Sequence, residues 1–155
     1  MRVARVATIP LAFTHVKNVI RHLCLMGDEV TLVASPGDFT PVIPSGTSPK
    51  IHPLSIPRGI APLQDMLALW RLIICLRAGR FDVVHSTTPK AGLLCALARP
   101  FTGARHVHTF TGQRWVTARD PLRGLLRFFD RLVLRLVHRS FPDSPPQVTF
   151  LVQEG

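Results

Sequence analysis

Short apolar segments that end in polar or glycine-containing turns alternate with longer segments of helical periodicity along this 155-residue chain. Short β-branched segments are typical of buried strands, and apolar residues that recur every three or four positions are typical of helices. Because strand and helix alternate throughout, the sequence predicts a doubly wound parallel α/β sheet of about six strands. Strands are predicted at 3–9, 29–34, 50–54, 83–85, 105–110 and 141–145, and helices at 14–27, 62–79, 89–98, 121–139 and from about 146 onward.

Local signals refine this assignment at two places. Thr14 precedes a run of helical periodicity and is predicted to be its N-cap, with Gly27 ending the helix. The segment 35–49 contains four prolines and two glycines, so it is predicted to be an irregular, exposed excursion.

Polar and glycine residues gather where the predicted strands end. The strand at 83–85 runs into Ser86-Thr87-Thr88-Pro89-Lys90, and the strand at 105–110 runs into Thr111-Gly112-Gln113. In an open α/β sheet, ligands bind in the crevice beyond the carboxyl ends of the strands. The predicted substrate-binding residues are therefore His85, Ser86, Thr87, Lys90, Thr111, Gly112, Gln113 and, after the first strand, His15.

Each cluster has two interpretations. The hydroxyls at 86–88 either help the following helix N-terminus to bind an anion or only cap that helix, with Lys90 solvated. The loop at 109–115 either presents ligand-binding donors or is a turn with a packed Trp115. His106 and His108 share one strand face, but no third ligand is in view, so no metal site is predicted.

Composition restricts the partners and the compartment. The formal charge of +10 favours an anionic partner such as anionic lipid, sugar phosphates or nucleic acid. Three cysteines at wide spacing in apolar surroundings indicate reduced thiols of a cytosolic protein.

The segment 1–13 is interpreted as a first strand rather than a signal peptide. The apolar segment 66–76 is broken by Arg71, so no membrane span is predicted and the expected location is cytoplasmic.

Arginines recur every fourth residue in the last long predicted helix. This spacing advances about 400° per step on a helix of 3.6 residues per turn, so the stripe winds slowly around the helix. With the leucines and phenylalanines between them, these residues form an amphipathic basic helix suited to an anionic bilayer surface. The alternative is a core helix whose arginines reach solvent while Asp130 pairs with one neighbour. The predicted membrane-contact residues are Arg119, Arg123, Arg127, Arg131 and Arg135, and the spacing continues to Arg139.

The segment from Phe81 through Thr117 resembles the N-terminal half of the family 4 retaining glycosyltransferases. Asp143-Ser144-Pro145 and the segment 150–155 resemble the approach to that family's interdomain linker. The resemblance implies one half of a GT-B architecture, in which two Rossmann-like domains face each other across the active cleft. Residues 1–155 would be the acceptor-side domain, with the donor-binding C-terminal domain absent. A nucleotide sugar is then the expected substrate, and no cofactor is expected.

Full-length members of this family transfer a sugar to lipid-linked or saccharide acceptors in cell-surface polysaccharide assembly. The chain is expected to be cytoplasmic, either free or peripheral on the inner face of the plasma membrane, and to be inactive without a donor-binding half. A histidine common in the family's loop after the fifth strand is replaced by Thr111, so no catalytic residue is assigned. The alternatives are a noncatalytic subunit that binds acceptor or membrane and recruits a separate donor-binding chain, and a truncated fragment. Nucleic acid is the least favoured partner, since exposed aromatics do not interleave with the basic residues.

Overall fold

The structure is a computed structural model that describes residues 1–37, Gly46 and 48–154. Within these residues it contains a six-stranded sheet of order β3-β2-β1-β4-β5-β6, in which every neighbouring pair is parallel. This confirms the predicted doubly wound parallel sheet. The strand order reverses between β1 and β4, which places the sheet's topological switch point there. The strands are β1 (Arg2–Val6), β2 (Glu29–Ala34), β3 (Lys50–Pro53), β4 (Val83–Ser86), β5 (Arg105–Phe110) and β6 (Arg139–Pro142).

Helices cover both faces of the sheet. One core joins the sheet to α3 and α4, a second joins it to α2, and a third packs α5 against α4 and β5. Short 3-10 turns occupy Arg99–Phe101 and Arg114–Val116. The helices are α1 (Ala12–His15), α2 (Lys17–Leu25), α3 (Pro62–Gly79), α4 (Pro89–Ala98), α5 (Leu122–Leu136) and α6 (Pro145–Glu154).

The central strand β1 is buried on both sides because helices cover both faces of the sheet. In β1, Ala4 and Val6 are fully buried in the core beneath α3 and α4, whereas Ala7, just past the strand, is buried in the core beneath α2. Successive side chains of a strand point to opposite faces, so this division follows from the pleat. Val3, Ala4 and Val6 of β1 are buried in this way, and Arg5 between them is also buried, at 2% exposed, where it pairs with His85.

Small side chains bring α4 unusually close to β5. Gly92 lies directly over the imidazole of His108, where an added Cβ would come within 2.5 Å of a ring carbon. Ala91 and Ala96 on the same helix are fully buried. This close approach sets α4 deep between α3 and α5, with its N-terminus at the carboxyl edge of the sheet.

The structure corrects three local predictions. The helix predicted from Thr14 to Gly27 is two helices, because Val16 adopts a non-helical backbone with φ −112° and ψ 15°. Thr14 lies inside α1 and does not act as an N-cap. The helix predicted to reach Arg139 ends at Leu136, since Val137 is extended and turns its side chain into the core with Val133. Of the predicted excursion at 35–49, residues 38–45 and 47 lie outside the described part of the chain.

Candidate functional site

A cavity of about 350 Å³ opens where the strand order reverses. It lies beyond the carboxyl ends of β1 and β4, at the N-terminus of α4, which is the position where open α/β sheets bind their ligands. Two guanidinium groups and one ammonium group line it, so the cavity favours an anionic or hydroxyl-rich ligand. The lining residues are Thr8, Ile9, Arg58, Thr88, Pro89, Lys90 and Arg114.

Hydrogen bonds hold the loops after β1, β4 and β5 together at this edge. The backbone N–H of Thr8 donates to Oγ1 of Thr88 at 2.9 Å, and the two threonine hydroxyls lie 2.7 Å apart. Oγ1 of Thr111 donates to the carbonyl of Thr87 at 3.0 Å. The polar ends of the three strands therefore meet, as the sequence predicts. Thr88 occupies the N-cap position of α4 but makes no side-chain cap bond, because its hydroxyl bonds to Thr8 instead.

Lys90 is held by a partner on α3. Its Nζ donates to Oδ1 of Asp65 at 2.5 Å and also to the carbonyl of Gly59. The other carboxylate oxygen of Asp65 accepts from the backbone N–H of Ala61 at 3.2 Å. The predicted alternative of a solvated Lys90 is therefore wrong. The ion pair fixes the amine at the cavity wall and joins the start of α4 to the start of α3.

His85 lies in a hydrogen-bonded row that crosses three strands. Nη1 of Arg5 is 2.8 Å from Nδ1 of His85, and Nε2 of His85 is 2.8 Å from Oγ1 of Thr109. Since a guanidinium only donates, Nδ1 must accept and Nε2 must carry the proton. Burial and the nearby Arg5 charge lower the pKa of His85 to about 3, so the ring is neutral near pH 7. Both ring nitrogens are thus engaged within the sheet, and a substrate contact by His85 stays a prediction.

Ser86 and Thr87 are buried inside the protein. Oγ of Ser86 lies 2.9 Å from Nδ1 of His108, beneath α4, and the Ser86 side chain is fully inaccessible. Oγ1 of Thr87 is also buried and has no hydrogen-bond partner among the residues that the structure describes. These two predicted residues are not among the described residues that line the cavity.

The predicted residues Thr111, Gly112, Gln113 and His15 are not among the described residues that line the cavity. Thr111 and Gly112 are exposed in the loop after β5, and Gly112 has a φ of 155°. The amide Nε2 of Gln113 is buried without a hydrogen-bond partner among the described residues. His15 is exposed on α1, and it does not line the cavity.

Sequence reasoning did not assign Arg58 or Thr8 to the site. Arg58 follows β3 in a proline-containing segment without periodicity, and only the fold brings it to Arg114, whose Nη1 donates to the Arg58 carbonyl at 3.4 Å. Thr8 follows β1. The sequence marks it only as a polar residue between Ala7 and Ile9, near the end of the first predicted strand. Both residues lie on the loops that border the switch point.

A second, mostly apolar cavity of about 430 Å³ adjoins the first. It lies between α3, α4 and α5 and shares Arg58, Pro89, Lys90 and Arg114 with the first cavity. Its apolar walls include Met66, Leu69, Leu93, Leu97, Leu126 and Phe129. The two cavities therefore lie side by side, one with a cationic lining and one with mostly apolar walls.

Trp115 anchors the loop that carries Thr111 to Arg114. It is 4% exposed, and its indole N–H donates to Oδ2 of Asp130 on α5 at 2.9 Å. The guanidinium of Arg127 lies 5.0 Å from the ring centroid, and Phe150 of α6 stacks on the ring at 5.4 Å. Burial raises the pKa of Asp130, although the indole hydrogen bond acts in the opposite direction. The interpretation of Trp115 as a packed residue is confirmed.

The predicted membrane-contact arginines do not all lie on one helix. Arg123, Arg127, Arg131 and Arg135 belong to α5, whereas Arg119 precedes it. Four large apolar side chains of α5 are exposed on the same helix, namely Leu122, Leu125, Phe128 and Leu134. Over the described residues, no helix combines the length and apolar character needed to cross a bilayer.

Comparison with known proteins identifies the family. The model of the glycosyl transferase 4-like domain matches residues 13–155, and the chain belongs to this family. No curated protein sequence matches the chain. The resemblance that Phe81 to Thr117 suggested is thus confirmed, and the match extends over residues 13–155.

Solved structures of low sequence identity share the fold. Sucrose-phosphate synthase from Thermosynechococcus elongatus matches with a TM-score of 0.72 and 11% identity, over 99% of this chain and 45% of that one. MurG from Acinetobacter baumannii matches with a TM-score of 0.65 and 15% identity, over 94% of this chain and 42% of that one. UDP-GlcNAc 2-epimerase from Methanocaldococcus jannaschii matches with a TM-score of 0.71 and 20% identity, over 100% of this chain and 43% of that one. The sheet is a Rossmann-like half of the GT-B architecture, and the chain spans less than half the length of each of these proteins.

Proposed function

We propose that this chain is the acceptor-side half of a glycosyltransferase that moves a sugar from a nucleotide sugar to a lipid-linked or saccharide acceptor in cell-surface polysaccharide assembly. The cavity at the switch point carries the proposal, because it presents Lys90, Arg58 and Arg114 at the edge where such sheets bind ligands. Family membership supports the reaction class. The structural match to an epimerase named for UDP-GlcNAc agrees with a nucleotide sugar as donor.

The cavity is suited to hold an acceptor and to stabilise negative charge beside it. The Asp65 partner fixes the Lys90 amine in place, so little reorganisation is needed when charge develops near it. The neutral His85 ring keeps the ends of β1, β4 and β5 in register. The donor's diphosphate needs a second set of preorganised partners across the cleft, and these would come from a donor-binding domain.

We expect no sugar transfer by the 155-residue chain alone, and transfer when a family 4 donor-binding domain is supplied in trans. Half of a cleft leaves the departing nucleotide without the charges that stabilise it in the transition state. Release of nucleoside diphosphate from a panel of nucleotide sugars measures the reaction. In the reconstituted pair, Lys90→Ala is expected to lower turnover by at least about tenfold.

Lys50→Ala is the matched control, since Lys50 lies on the edge strand β3 away from the cavity. Thermal unfolding of each variant shows whether the domain remains folded. Transfer by the isolated chain would contradict the half-enzyme proposal. Saccharide binding without any transfer in the reconstituted pair would favour the noncatalytic subunit that recruits a donor-binding chain.

The basic helix α5 is proposed to hold the chain on an anionic membrane surface. Arg131 and Arg135 are exposed there beside exposed apolar side chains of the same helix. The double variant Arg131→Gln, Arg135→Gln should bind phosphatidylserine-containing vesicles about 30-fold more weakly at low salt, since each basic residue at such a surface contributes about 1 kcal/mol. Arg127 is left unchanged because it lies over Trp115.

Vesicle co-sedimentation measures this affinity. The control variant Arg21→Gln, Arg105→Gln removes the same charge from α2, on the opposite face of the sheet, and from the start of β5. Equal weakening by the two double variants would show that net charge acts, rather than α5, and would remove this proposal.

A further inference from the structure

We propose that the cavity between α3, α4 and α5 binds the hydrocarbon chain of an anionic lipid whose phosphate lies against Arg58 and Arg114. The acceptor would then be an amphiphile that carries this phosphate rather than a free saccharide. Its role as acceptor rests on the proposed function, whereas lipid binding itself does not. The juxtaposition of an apolar cavity and a cationic mouth is the observation from which this inference starts.

The apolar part is a walled cavity of about 430 Å³ rather than a flat patch. Leu93 and Leu97 of α4 form its floor, Met66 and Leu69 of α3 form one wall, and Leu126 and Phe129 of α5 form the other. A volume in this range is typical of sites that enclose most of a small ligand. The side chains offer hydrocarbon contacts along its length, so its preferred occupant is an apolar chain.

The carboxylates of the cavity already have partners. Asp65 is paired with Lys90 at 2.5 Å, and Asp130 accepts the indole N–H of Trp115 at 2.9 Å. The exposed guanidinium groups of Arg58 and Arg114 then set the charge of the mouth. Guanidinium groups are well suited to phosphate oxygens, because their planar donors can bond two of them at once.

The surface around the opening favours a lipid over a folded protein segment. Ile60 and Met66 line the cavity and are still 61% and 68% exposed, and Leu63 on the next turn is 87% exposed. Exposed apolar side chains next to the basic helix α5 form a surface that can lie on an anionic bilayer. An anionic amphiphile leaving that bilayer would meet the cavity with its tail and the two arginines with its head group.

Binding of a series of alkyl phosphates tests this proposal directly. Each buried methylene should tighten binding about fourfold until the cavity is filled. Octyl phosphate has four more methylenes than butyl phosphate and is therefore expected to bind about 250-fold more tightly if the cavity holds all of them. Both 1-octanol and inorganic phosphate should bind at least about tenfold more weakly than octyl phosphate, because each offers only one half of the required contacts. Titration calorimetry below micelle-forming concentrations gives these affinities.

Two pairs of variants locate the binding. Leu97→Trp fills the cavity floor and should flatten the dependence on chain length, whereas Leu134→Trp, at an exposed position on α5 outside the cavity, should not. Arg114→Gln should weaken octyl phosphate about tenfold and leave 1-octanol unchanged. Arg105→Gln, an exposed arginine at the start of β5, is its control and should change neither.

The wild-type series alone decides the question if a variant fails to fold. Equal affinity of butyl and octyl phosphate would overturn the proposal, even if sugar transfer to a saccharide acceptor is observed. Light scattering gives a second test. If the chain were a dimer that Leu97→Trp converts to a monomer, the cavity would be an interface between copies of this chain, and the proposal would be overturned. Tight octyl phosphate binding without any transfer in the reconstituted pair would support the lipid site and contradict the proposed reaction.

Discussion

The free energy of unfolding is expected to fall steeply as the pH drops from about 6.5 toward 4. Burial lowers the pKa of His106 and of His108 to about 4, from an ordinary value of 6.5. The two side chains are 0% and 1% exposed, and both hydrogen-bond within the protein as neutral rings. His85, with a pKa lowered to about 3 by burial and by Arg5, adds to the effect in the same direction.

The sign follows from proton binding. Between pH 6.5 and 4 the unfolded chain protonates its histidines while the folded chain keeps these rings neutral, so the unfolded state binds more protons. Stability is therefore fully present above the unfolded pKa and is lost as the pH falls toward the folded pKa. Each fully buried histidine should lower the free energy of unfolding by about 2 kcal/mol between pH 7 and 5.

Urea unfolding at pH 7, 6 and 5 measures this dependence in matched variants. His106→Gln places an amide near the position of the ring nitrogen that bonds Thr102, and His108→Asn does the same for the nitrogen that bonds Ser86. Each substitution should therefore reduce the loss of unfolding free energy between pH 7 and 5 by the contribution of one histidine. His22→Gln, at an exposed site on α2, is the control. The raised pKa of Asp130 opposes the trend, so the decisive quantity is the difference between variants. A pH dependence that is the same in all four proteins would show that these rings do not titrate as described.

The architecture could be predicted from the sequence because each element carries its own local signal. The β-branched run at 29–34 and the helical periodicity at 62–79 both appear where predicted. Boundaries failed where tertiary contacts decide them. Val137 leaves α5 because its side chain is buried in the core with Phe110, and no local pattern marks that contact.

The site was harder to predict than the fold, since a strand turns alternate side chains to opposite faces. Sequence identifies the end of β4 but does not show that Ser86 faces the core under α4 while Lys90 reaches the cavity wall. Arg58 and Arg114 are far apart in the chain, and only the return of the loop after β3 to the switch point brings them together. Long-range placement of this kind leaves no periodic signal.

The second large effect is expected at Trp115. Trp115→Ala should lower the free energy of unfolding by about 3–5 kcal/mol, because it removes a large buried side chain that contacts α5 and α6. Trp115→Phe keeps most of the ring but leaves the carboxylate of Asp130 without the indole donor, so it should cost about 1–3 kcal/mol. Urea unfolding measures both changes.

Trp70 provides the control, since it is the other tryptophan of the chain and is 62% exposed on α3. Trp70→Ala should change stability by no more than about 0.5 kcal/mol, as for most surface substitutions. The Trp115 variants should also weaken phosphate binding at the cavity, because Arg114 precedes Trp115 and the loop is held on α5 through that ring. Trp70→Ala should leave phosphate binding unchanged. Equal free energies of unfolding for Trp115→Ala and Trp70→Ala would contradict this prediction. They would show that the loop is not held on the domain by the contacts of Trp115 with Asp130, Arg127 and Phe150.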